Sequence, residues 1–272
     1  MNSAFITWMK NYLIIGYGWL GKALAFELKK ERAHVFSTST DLRKLSEMKV
    51  VGISPLQIMK NDQNLSWKEM PKTHFNAVII TFPPFDGVLA SLDNLLKSIP
   101  ADLIIFTSSI GVYMDESIEI DESSSVINTH LVYRMEERIR SLTNGRYLVL
   151  RLAGHIGPGR HPVRFFLRNR RDIPNGQAPV NLIHQSDIIR AIACLLESSV
   201  TNELYNLCWP EHPTKEQYYG NLALEMGEGK LSFLHGNHGK KIDGSKITLE
   251  TKFKYGHSIH EINDLDLRKD NI

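Results

Sequence analysis

The sequence predicts an α/β fold built on a doubly wound parallel sheet, and two observations carry this prediction. The first is an unbroken apolar run at residues 12–15, typical of a strand buried on both faces, which the glycine turn at 16–21 follows at once. A helical stretch with Leu24 and Leu28 on one stripe comes next. The second observation is that further apolar runs alternate with helical stretches as far as residue 109, as expected for parallel strands joined by helices.

Composition excludes several classes of protein. The chain has 272 residues, of which 42% are hydrophobic, enough for one large or two modest domains. Its net charge of +2 gives no sign of a nucleic-acid partner, and no apolar run approaches the length of a membrane span. Cys194 and Cys208 lie in apolar stretches and are expected to be reduced. We therefore expect a cytoplasmic monomer or homodimer with a small-molecule partner, no nucleic acid and no membrane.

The two ends of the chain are expected to lie outside the fold. Residues 1–8 lack the basic-then-apolar plan of a signal peptide and are expected to be a dispensable lead. Residues 263–272 are highly charged and are expected to be disordered.

The strand, glycine turn and helix together form a dinucleotide-binding fingerprint. Gly16 allows the sharp turn, Gly18 lets a pyrophosphate approach the backbone, and Gly21 lets the helix pack close to the strand. The pyrophosphate would then lie at the positive end of the helix. The predicted cofactor-binding residues of the turn are Gly16, Tyr17, Gly18, Trp19, Leu20 and Gly21. The alternative is a glycine-rich turn that binds no ligand.

The end of the second predicted strand, residues 33–41, bears on the choice between NAD and NADP. NAD-preferring sites usually place an acidic residue near the position of Ser39, where it binds the ribose 2′-hydroxyl. Here Ser39, Thr40 and Arg43 suit a 2′-phosphate, which a carboxylate would repel. The sequence therefore favours NADP slightly over NAD. Asp41 keeps NAD open, unless it only caps the following helix.

The elements that follow complete the predicted sheet. We expect a third strand at residues 50–54, a polar loop with a short helix at 58–72, a fourth strand at 76–81, a helix at 88–98 and a fifth strand at 101–109. Pro83 and Pro84 end the fourth strand because proline cannot continue it. In a doubly wound sheet that strand ends beside the glycine turn, so Thr81 and Pro83 are expected to line the cofactor crevice. In the C-terminal part, a helix at 216–226 and a strand at 230–234 are expected.

Four stretches resemble one enzyme family, in the family's order. Residues 107–113, Thr-Ser-Ser-Ile-Gly-Val-Tyr, are similar to the fifth-strand motif of the extended and atypical short-chain dehydrogenase/reductases, the NAD-dependent epimerase/dehydratase family. Residues 151–159, 181–192 and 203–207 resemble its later strand exits. The glycine turn and the Pro83-Pro84 pair resemble its small YeeZ-like branch. The resemblance covers residues 11–227.

The resemblance implies a fold, a cofactor and a class of reaction. It implies a Rossmann-type doubly wound sheet, residues 9–160 and 184–208, with a small C-terminal α+β substrate lid, residues 161–183 and 209–272. It also implies NAD(P) and an oxidoreductase or epimerase/dehydratase-like activity. The substrate would be a small polar carbonyl or hydroxyl compound, including sugar-like ones.

The family's catalytic residues carry over only in part. The family uses a serine or threonine to hold a substrate oxygen, a tyrosine as acid/base, and a lysine four residues after the tyrosine. Ser109 falls on the serine position, with Ser108 beside it as the alternative and as a cofactor contact, and Tyr133 falls close to the tyrosine. Glu137 stands where the lysine is expected, and no lysine occurs between residues 97 and 215.

Three interpretations of the missing lysine stay open. Arg138 supplies the positive charge, or Tyr133 works only as an acid, or the chain binds the dinucleotide without the family's chemistry, as a redox-sensing or partner-binding protein. The alternative for Tyr133 itself is a plain position on an amphipathic helix.

Two further residues are candidates for substrate binding. Arg160 follows Gly-Pro-Gly at the start of a basic run and could capture a carboxylate or phosphate, although a solvated helix face explains the run as well. Tyr113 is either a substrate contact or a structural wall. The acidic stretch at 115–122 is expected to be a solvated face.

The histidines of the chain predict no metal site. His184 and Asp187 are expected to fix the geometry between the domains, with Asp187 as a helix N-cap. The remaining pairs, 235 with 238 and 257 with 260, lack a third ligand.

Overall fold

The computed structural model of the chain describes residues 9–61, 63–97, 99–115, 119–144 and 146–261. The expectations for residues 1–8 and 263–272 fall outside the described residues. The strands are β1 (Asn11–Ile15), β2 (His34–Ser39), β3 (Ser54–Asn61), β4 (Asn64–Trp67), β5 (Ala77–Ile80), β6 (Ile104–Ser109), β7 (Glu119–Ile120), β8 (Tyr147–Leu152), β9 (Gly154–Ile156), β10 (Leu182–His184), β11 (Glu203–Leu207) and β12 (Lys241–Ile242).

Helices connect most of these strands. They are α1 (Trp19–Lys30), α2 (Leu42–Val50), α3 (Val88–Leu96), α4 (Leu131–Thr143), α5 (Pro162–Asn169), α6 (Gln185–Leu196), α7 (Lys215–Glu225) and α8 (Lys246–Glu250), with a 3-10 turn at Ile110–Val112. None of the helices in the described ranges has both the length and the apolar character needed to cross a bilayer.

The main sheet has eight strands in the order β11-β8-β6-β5-β1-β2-β3-β4. The pairs β1–β2, β1–β5, β2–β3 and β5–β6 are parallel, and β3–β4 is antiparallel. The first strand lies in the middle, and the chain winds outward from it in both directions, which is the doubly wound arrangement. Residues 12–15 of β1 are 4% exposed or less. The predicted Rossmann-type α/β fold is therefore confirmed, and the run at 12–15 is apolar because both faces of β1 are buried there.

The chain divides into two compact units. Unit 1 comprises Met1–Thr107, Thr129–Val149 and Ser199–Glu203, and unit 2 comprises Ser108–Asn128, Leu150–Ser198 and Leu204–Ile272. The domain boundaries expected from the sequence, and the role of the C-terminal part as a lid, stay predictions.

Sequence reasoning was wrong about the third strand and the loop after it. Residues 50–53 are the end of α2 and a turn, and β3 begins only at Ser54. The described residues of the stretch at 58–72 form no helix; instead, β3 pairs antiparallel with β4. Polar side chains of α3 cover the outer edge of β4, because Ser91 Oγ accepts the Leu65 N–H at 2.8 Å and Asn94 Nδ2 donates to the Leu65 carbonyl at 3.2 Å. An edge hairpin needs few apolar residues, so its sequence looked like a loop.

The strand expected at 230–234 is also absent from the structure. That stretch makes a single bridge, between Phe233 and Ile173, and Phe233 packs at the margin of an apolar cluster of unit 2.

A hydrogen-bonded histidine organises this apolar cluster in unit 2. His161 caps α5 by accepting the Val163 N–H at its Nδ1 (3.1 Å). The Tyr218 hydroxyl donates its one proton to the Ile259 carbonyl (2.7 Å), so His161 Nε2 must donate to the Tyr218 oxygen (2.9 Å). Burial lowers the pKa of His161 to about 4, with a smaller contribution from Arg164. The His161 imidazole therefore forms these two hydrogen bonds in its neutral state.

This arrangement predicts a loss of stability in acid. The pKa of His161 rises from about 4 in the folded chain to about 6.5 on unfolding, so as the pH falls the unfolded state takes up the proton first. The free energy of unfolding should fall between pH 6.5 and 4, by about 2 kcal/mol by pH 5. Urea denaturation of the wild type and of His161→Asn across this range measures the difference, and the variant should lose part of the pH dependence.

Two controls bound this prediction. His155 and His212, whose pKa values burial also lowers, should retain the rest of the dependence in the variant. His235→Asn, at an exposed position, should behave like the wild type. An unchanged pH profile in His161→Asn would show that the imidazole is not held neutral.

Candidate dinucleotide-binding site

The glycine turn between β1 and α1 is shaped by close backbone contacts. Gly16 has a φ of +118°, in the left-handed region that favours glycine. A Cβ on Gly21 would lie 1.9 Å from the Gly16 carbonyl oxygen and 2.7 Å from Thr81 Oγ1. Helix α1 begins at Trp19, three residues earlier than the sequence suggested, so Gly21 lies in its first turn. The fold itself therefore requires glycine at 16 and at 21.

Two threonines hold this turn from the neighbouring strands. Thr38, fully buried at the end of β2, accepts the Gly16 N–H at Oγ1 (3.1 Å) and the Tyr17 N–H at its carbonyl (3.2 Å). Thr81, which follows β5, donates its hydroxyl to the Gly16 carbonyl (2.8 Å). Thr81 thus contributes to the predicted site by fixing the turn. Sequence reasoning missed Thr38, although a parallel β2 beside β1 would place its last residues against the turn.

Gly18 differs from the other two glycines of the turn. Its φ of −91° and ψ of −163° are extended angles that any residue adopts. A Cβ built at Gly18 meets no atom within 4 Å. Neither backbone conformation nor packing explains a glycine here, but an open approach to the N-terminus of α1 does. That helix has no acidic residue in its first turn and ends on Lys29 and Lys30, so its N-terminus favours an anion.

The other predicted residues of the turn offer mainly backbone. Tyr17 is 4% exposed and Leu20 is 7% exposed, so both side chains pack inward. Burial, followed by the nearby Glu47, raises the pKa of Tyr17. Trp19 is half-buried at the first position of α1.

The end of β2 leaves two predicted phosphate ligands exposed. Ser39 is nearly buried, and its Oγ accepts the Asp41 N–H at 3.0 Å. Asp41 caps α2 by accepting the Arg43 N–H at 2.8 Å, which confirms the capping interpretation of this residue. The side chains of Thr40 and Arg43 are exposed.

The predicted serines lie at the end of β6, and Pro83 is exposed beyond β5. Ser108 is 5% exposed. Ser109 is half-buried, and its Oγ accepts the Gly111 N–H at 3.0 Å. A serine oxygen that accepts one hydrogen bond still has its own proton to donate. Ser109 is thus able to donate to a ligand oxygen at the carboxyl end of a strand.

Helix α4 places Tyr133 and engages Arg138 in an ion pair. Tyr133 is half-buried in its first turn. The Arg138 guanidinium binds Asp93 of α3, with Nε 2.6 Å from the carboxylate. Glu137 is exposed and pairs with Arg140 at 2.7 Å. Arg138 therefore ties α4 to α3 with its charge compensated, contrary to the interpretation in which it replaces the family lysine.

Tyr113 is a structural residue of unit 2. It is 0% exposed, its hydroxyl donates to Asn206 Oδ1 at 2.7 Å, and the Arg151 guanidinium lies 4.6 Å from its ring centre. Burial raises its pKa. Its hydroxyl is not available to a substrate, so the wall interpretation describes it. The acidic stretch is likewise not only a solvated face, because Glu122 is half-buried and accepts the Asn206 N–H at 2.7 Å.

Arg160 is exposed and lies near the half-buried His155. It closes a tight turn with Gly157, with backbone hydrogen bonds of 3.0 and 2.9 Å in the two directions. Burial, with a smaller contribution from Arg160, lowers the pKa of His155 to about 4.

Asp187 is not the N-cap that the sequence suggested. His184 caps α6 by accepting the Ser186 N–H at 3.2 Å. Asp187 is fully buried and accepts the N–H groups of Gly256 (3.1 Å) and His257 (3.0 Å). Its role is to hold the segment at 256–257 against α6. Among the residues that the structure describes, no group of three or more His, Cys, Asp or Glu is placed to hold a metal ion.

Comparison with known proteins identifies the family. No protein-family model matches the chain. It is 34% identical over 265 residues to Protein YeeZ of Escherichia coli K12, a match that covers 91% of this chain and 96% of that protein. The chain belongs to the YeeZ family.

Solved structures share the fold of this YeeZ-family chain. A conserved protein of unknown function from Silicibacter pomeroyi DSS superposes with a TM-score of 0.77 at 19% identity, covering 92% of this chain and 94% of that one. Vestitone reductase from alfalfa gives 0.71 at 15% identity (94% and 96%). UDP-glucuronic acid 4-epimerase from Bacillus cereus, in complex with NAD, gives 0.69 at 16% identity (91% and 94%). These structures confirm the predicted fold, and the identity to Protein YeeZ confirms the predicted resemblance to the YeeZ-like branch.

Gly21 and Gly18 should respond differently to replacement by alanine. Gly21→Ala should lower the free energy of unfolding by about 2–4 kcal/mol, because the new methyl overlaps a backbone oxygen. Gly18→Ala should lower it by about 1 kcal/mol or less, because the new methyl meets no atom and the change costs only the preference for glycine at the N-cap of α1. Urea denaturation without cofactor measures both, and a large loss in Gly18→Ala would show that packing, not a ligand, explains that glycine.

Proposed function

We propose that this chain is an NAD(P)-dependent oxidoreductase or epimerase of the short-chain dehydrogenase/reductase type. Its substrate would be a small polar carbonyl or hydroxyl compound, its preferred cofactor NADP, and its compartment the cytoplasm. The observation that carries the proposal is Gly18, a glycine that neither conformation nor packing requires, at the open N-terminus of α1. The family relationship and the fold support it.

The residues of the turn fit a dinucleotide. A side chain at position 18 would fill the space through which a pyrophosphate reaches the first N–H groups of α1. The backbone of Gly18, Trp19 and Leu20 would hold the pyrophosphate. When bound, the cofactor supplies the hydride chemistry.

The preference for NADP rests on the end of β2. Thr40 and Arg43 are exposed there, and a guanidinium suits a 2′-phosphate. Asp41 could bind a ribose hydroxyl of NAD, but its carboxylate already caps α2.

The proposed chemistry uses one serine and one tyrosine. Ser109 would hold the reacting substrate oxygen by donating a hydrogen bond to it, and Tyr133 would exchange a proton with that oxygen. In the direction of carbonyl reduction, Tyr133 would act as the proton donor. The missing lysine is the observation that supports the second candidate, a dinucleotide-binding protein without this chemistry.

Titration with NADPH and NADH tests the cofactor. We expect the wild type to bind both, NADPH more tightly, with binding followed by calorimetry. Gly18→Val should weaken NADPH binding by at least about tenfold while the chain stays folded, because the side chain blocks the approach. Arg43→Ala should weaken NADPH binding selectively, whereas Lys49→Ala, an exposed lysine later on α2, should not.

Absence of binding by both nucleotides would refute the dinucleotide proposal. Equal affinity for the two, unaffected by Arg43→Ala, would refute only the preference for NADP.

Oxidation of NADPH with a panel of aldehydes and ketones tests the catalytic roles. Ser109→Ala and Tyr133→Phe should each lower kcat by about a hundredfold or more while NADPH binding stays unchanged, because a positioned proton donor is lost. Tyr147→Phe, another half-buried tyrosine of unit 1, is the matched control. Wild-type kcat in both variants would remove these roles, and NADPH binding without turnover of any panel member would favour the second candidate.

A further inference from the structure

We propose that Lys240 is a substrate-binding residue whose ammonium group holds an anionic group, a carboxylate or a phosphate, of the substrate. The proposal rests on the proposed function and adds a substrate class to it: carbonyl or hydroxyl compounds that carry a negative charge.

The Lys240 side chain is anchored beside the end of β6. Its Nζ donates to the Tyr113 carbonyl at 2.9 Å. Tyr113 closes the 3-10 turn that begins directly after Ser109, since the Tyr113 N–H donates to the Ile110 carbonyl at 3.3 Å. The ammonium group is therefore one short turn away from the serine proposed to hold the reacting oxygen.

The Lys240 backbone is anchored beside the end of β8. Asn181 Nδ2 donates to the Lys240 carbonyl at 2.8 Å, and Asn181 Oδ1 accepts the Ile242 N–H at 2.9 Å. The Asn181 carbonyl in turn accepts the N–H of Gly154, the residue that begins β9 two positions after β8 ends. Lys240 thus lies at the carboxyl ends of β6 and β8, the edge at which open α/β sheets bind ligands.

The charge of Lys240 is not compensated as that of its neighbour is. In the part of the chain that the structure describes, Lys240 forms no ion pair, whereas Lys241 is exposed and pairs with Glu119 at 3.1 Å. Lys240 is half-buried, and this burial lowers its pKa even though Asp115 raises it.

The donors of Lys240 suit an anion. An ammonium group has three protons, and the Tyr113 carbonyl takes one. The two others are available for charge-assisted hydrogen bonds. No lysine lies between residues 97 and 215, and Arg138 is engaged by Asp93, so Lys240 brings to this edge a cation from a later part of the chain.

Amine labelling of the wild type tests the proposal without a known substrate. The full chain is saturated with NADPH, so that the dinucleotide site is filled, and acetylated with or without inorganic phosphate or malonate at equal ionic strength. Peptide mass spectrometry then gives a rate for each lysine. Either anion should slow labelling of Lys240 by about threefold or more and leave Lys241 unchanged. Equal effects on the two lysines, or no effect on Lys240, would overturn the proposal.

A pair of variants gives an independent measurement. Lys240→Met should bind NADPH as the wild type does but weaken the binding of malonate or phosphate by about tenfold, and Lys241→Met should bind both as the wild type does. Lys240→Arg keeps the positive charge and should retain part of the anion affinity. It is the variant to measure if Lys240→Met does not fold. Anion binding that survives in Lys240→Met would overturn the proposal. Failure of the wild type to bind NADPH would instead overturn the proposed function, which separates the two.

Discussion

The glycine turn is held by two threonine hydroxyls, and the arrangement around it depends on this constraint. The Gly16 N–H donates to Thr38 Oγ1 of β2, and the Gly16 carbonyl accepts a hydrogen bond from Thr81 Oγ1, directly after β5. Both backbone polar groups of Gly16 are thus satisfied by side chains from the two sides of β1. Leaving either group unpaired would cost about 1–3 kcal/mol. The turn is therefore fixed before any ligand arrives, and the N-terminus of α1 points where the fold places it, because β2 and β5 lie on either side of β1.

The three glycines of the turn are glycines for three different physical reasons. Gly16 is required by its positive φ, and Gly21 is required because a side chain there would overlap the Gly16 carbonyl oxygen. Neither its backbone angles nor a close contact requires glycine at position 18, and the open space in front of α1 explains this residue. A sequence motif cannot separate these reasons, because it shows only that the three positions are glycine. The backbone angles and close contacts of the three glycines distinguish these reasons, and only Gly18 points to a ligand.

The elements predicted correctly from the sequence are those determined by burial and by contacts between neighbouring residues. A strand buried on both faces needs consecutive apolar residues, and this pattern predicted β1 and β5. The turn and the cap at Asp41 were predicted because each depends on residues that are close together in sequence. The β3–β4 hairpin was missed because α3 side chains satisfy its outer edge, so few apolar residues are needed there. Thr38 was missed because its partner lies 22 residues away along the chain. Tyr113, a candidate for substrate contact by motif, proved to be buried, since a motif does not show which way a side chain faces.

Hydrogen bonds between residues distant in sequence fix the C-terminal segments of unit 2. Buried polar groups hold its C-terminal segments at several points: Asp187 binds the backbone at 256 and 257, Tyr218 binds Ile259, and Asn206 binds the Asp243 carbonyl. Each satisfied pair fixes a segment that composition alone would leave as loop. Lys240 lies on such a segment, held by the hydrogen bond from Asn181 Nδ2 to its carbonyl and by that from its own Nζ to the Tyr113 carbonyl. A residue far along the chain can therefore bring a positive charge to the carboxyl edge of β6 and β8, because the hydrogen bonds of its backbone fix where its side chain begins.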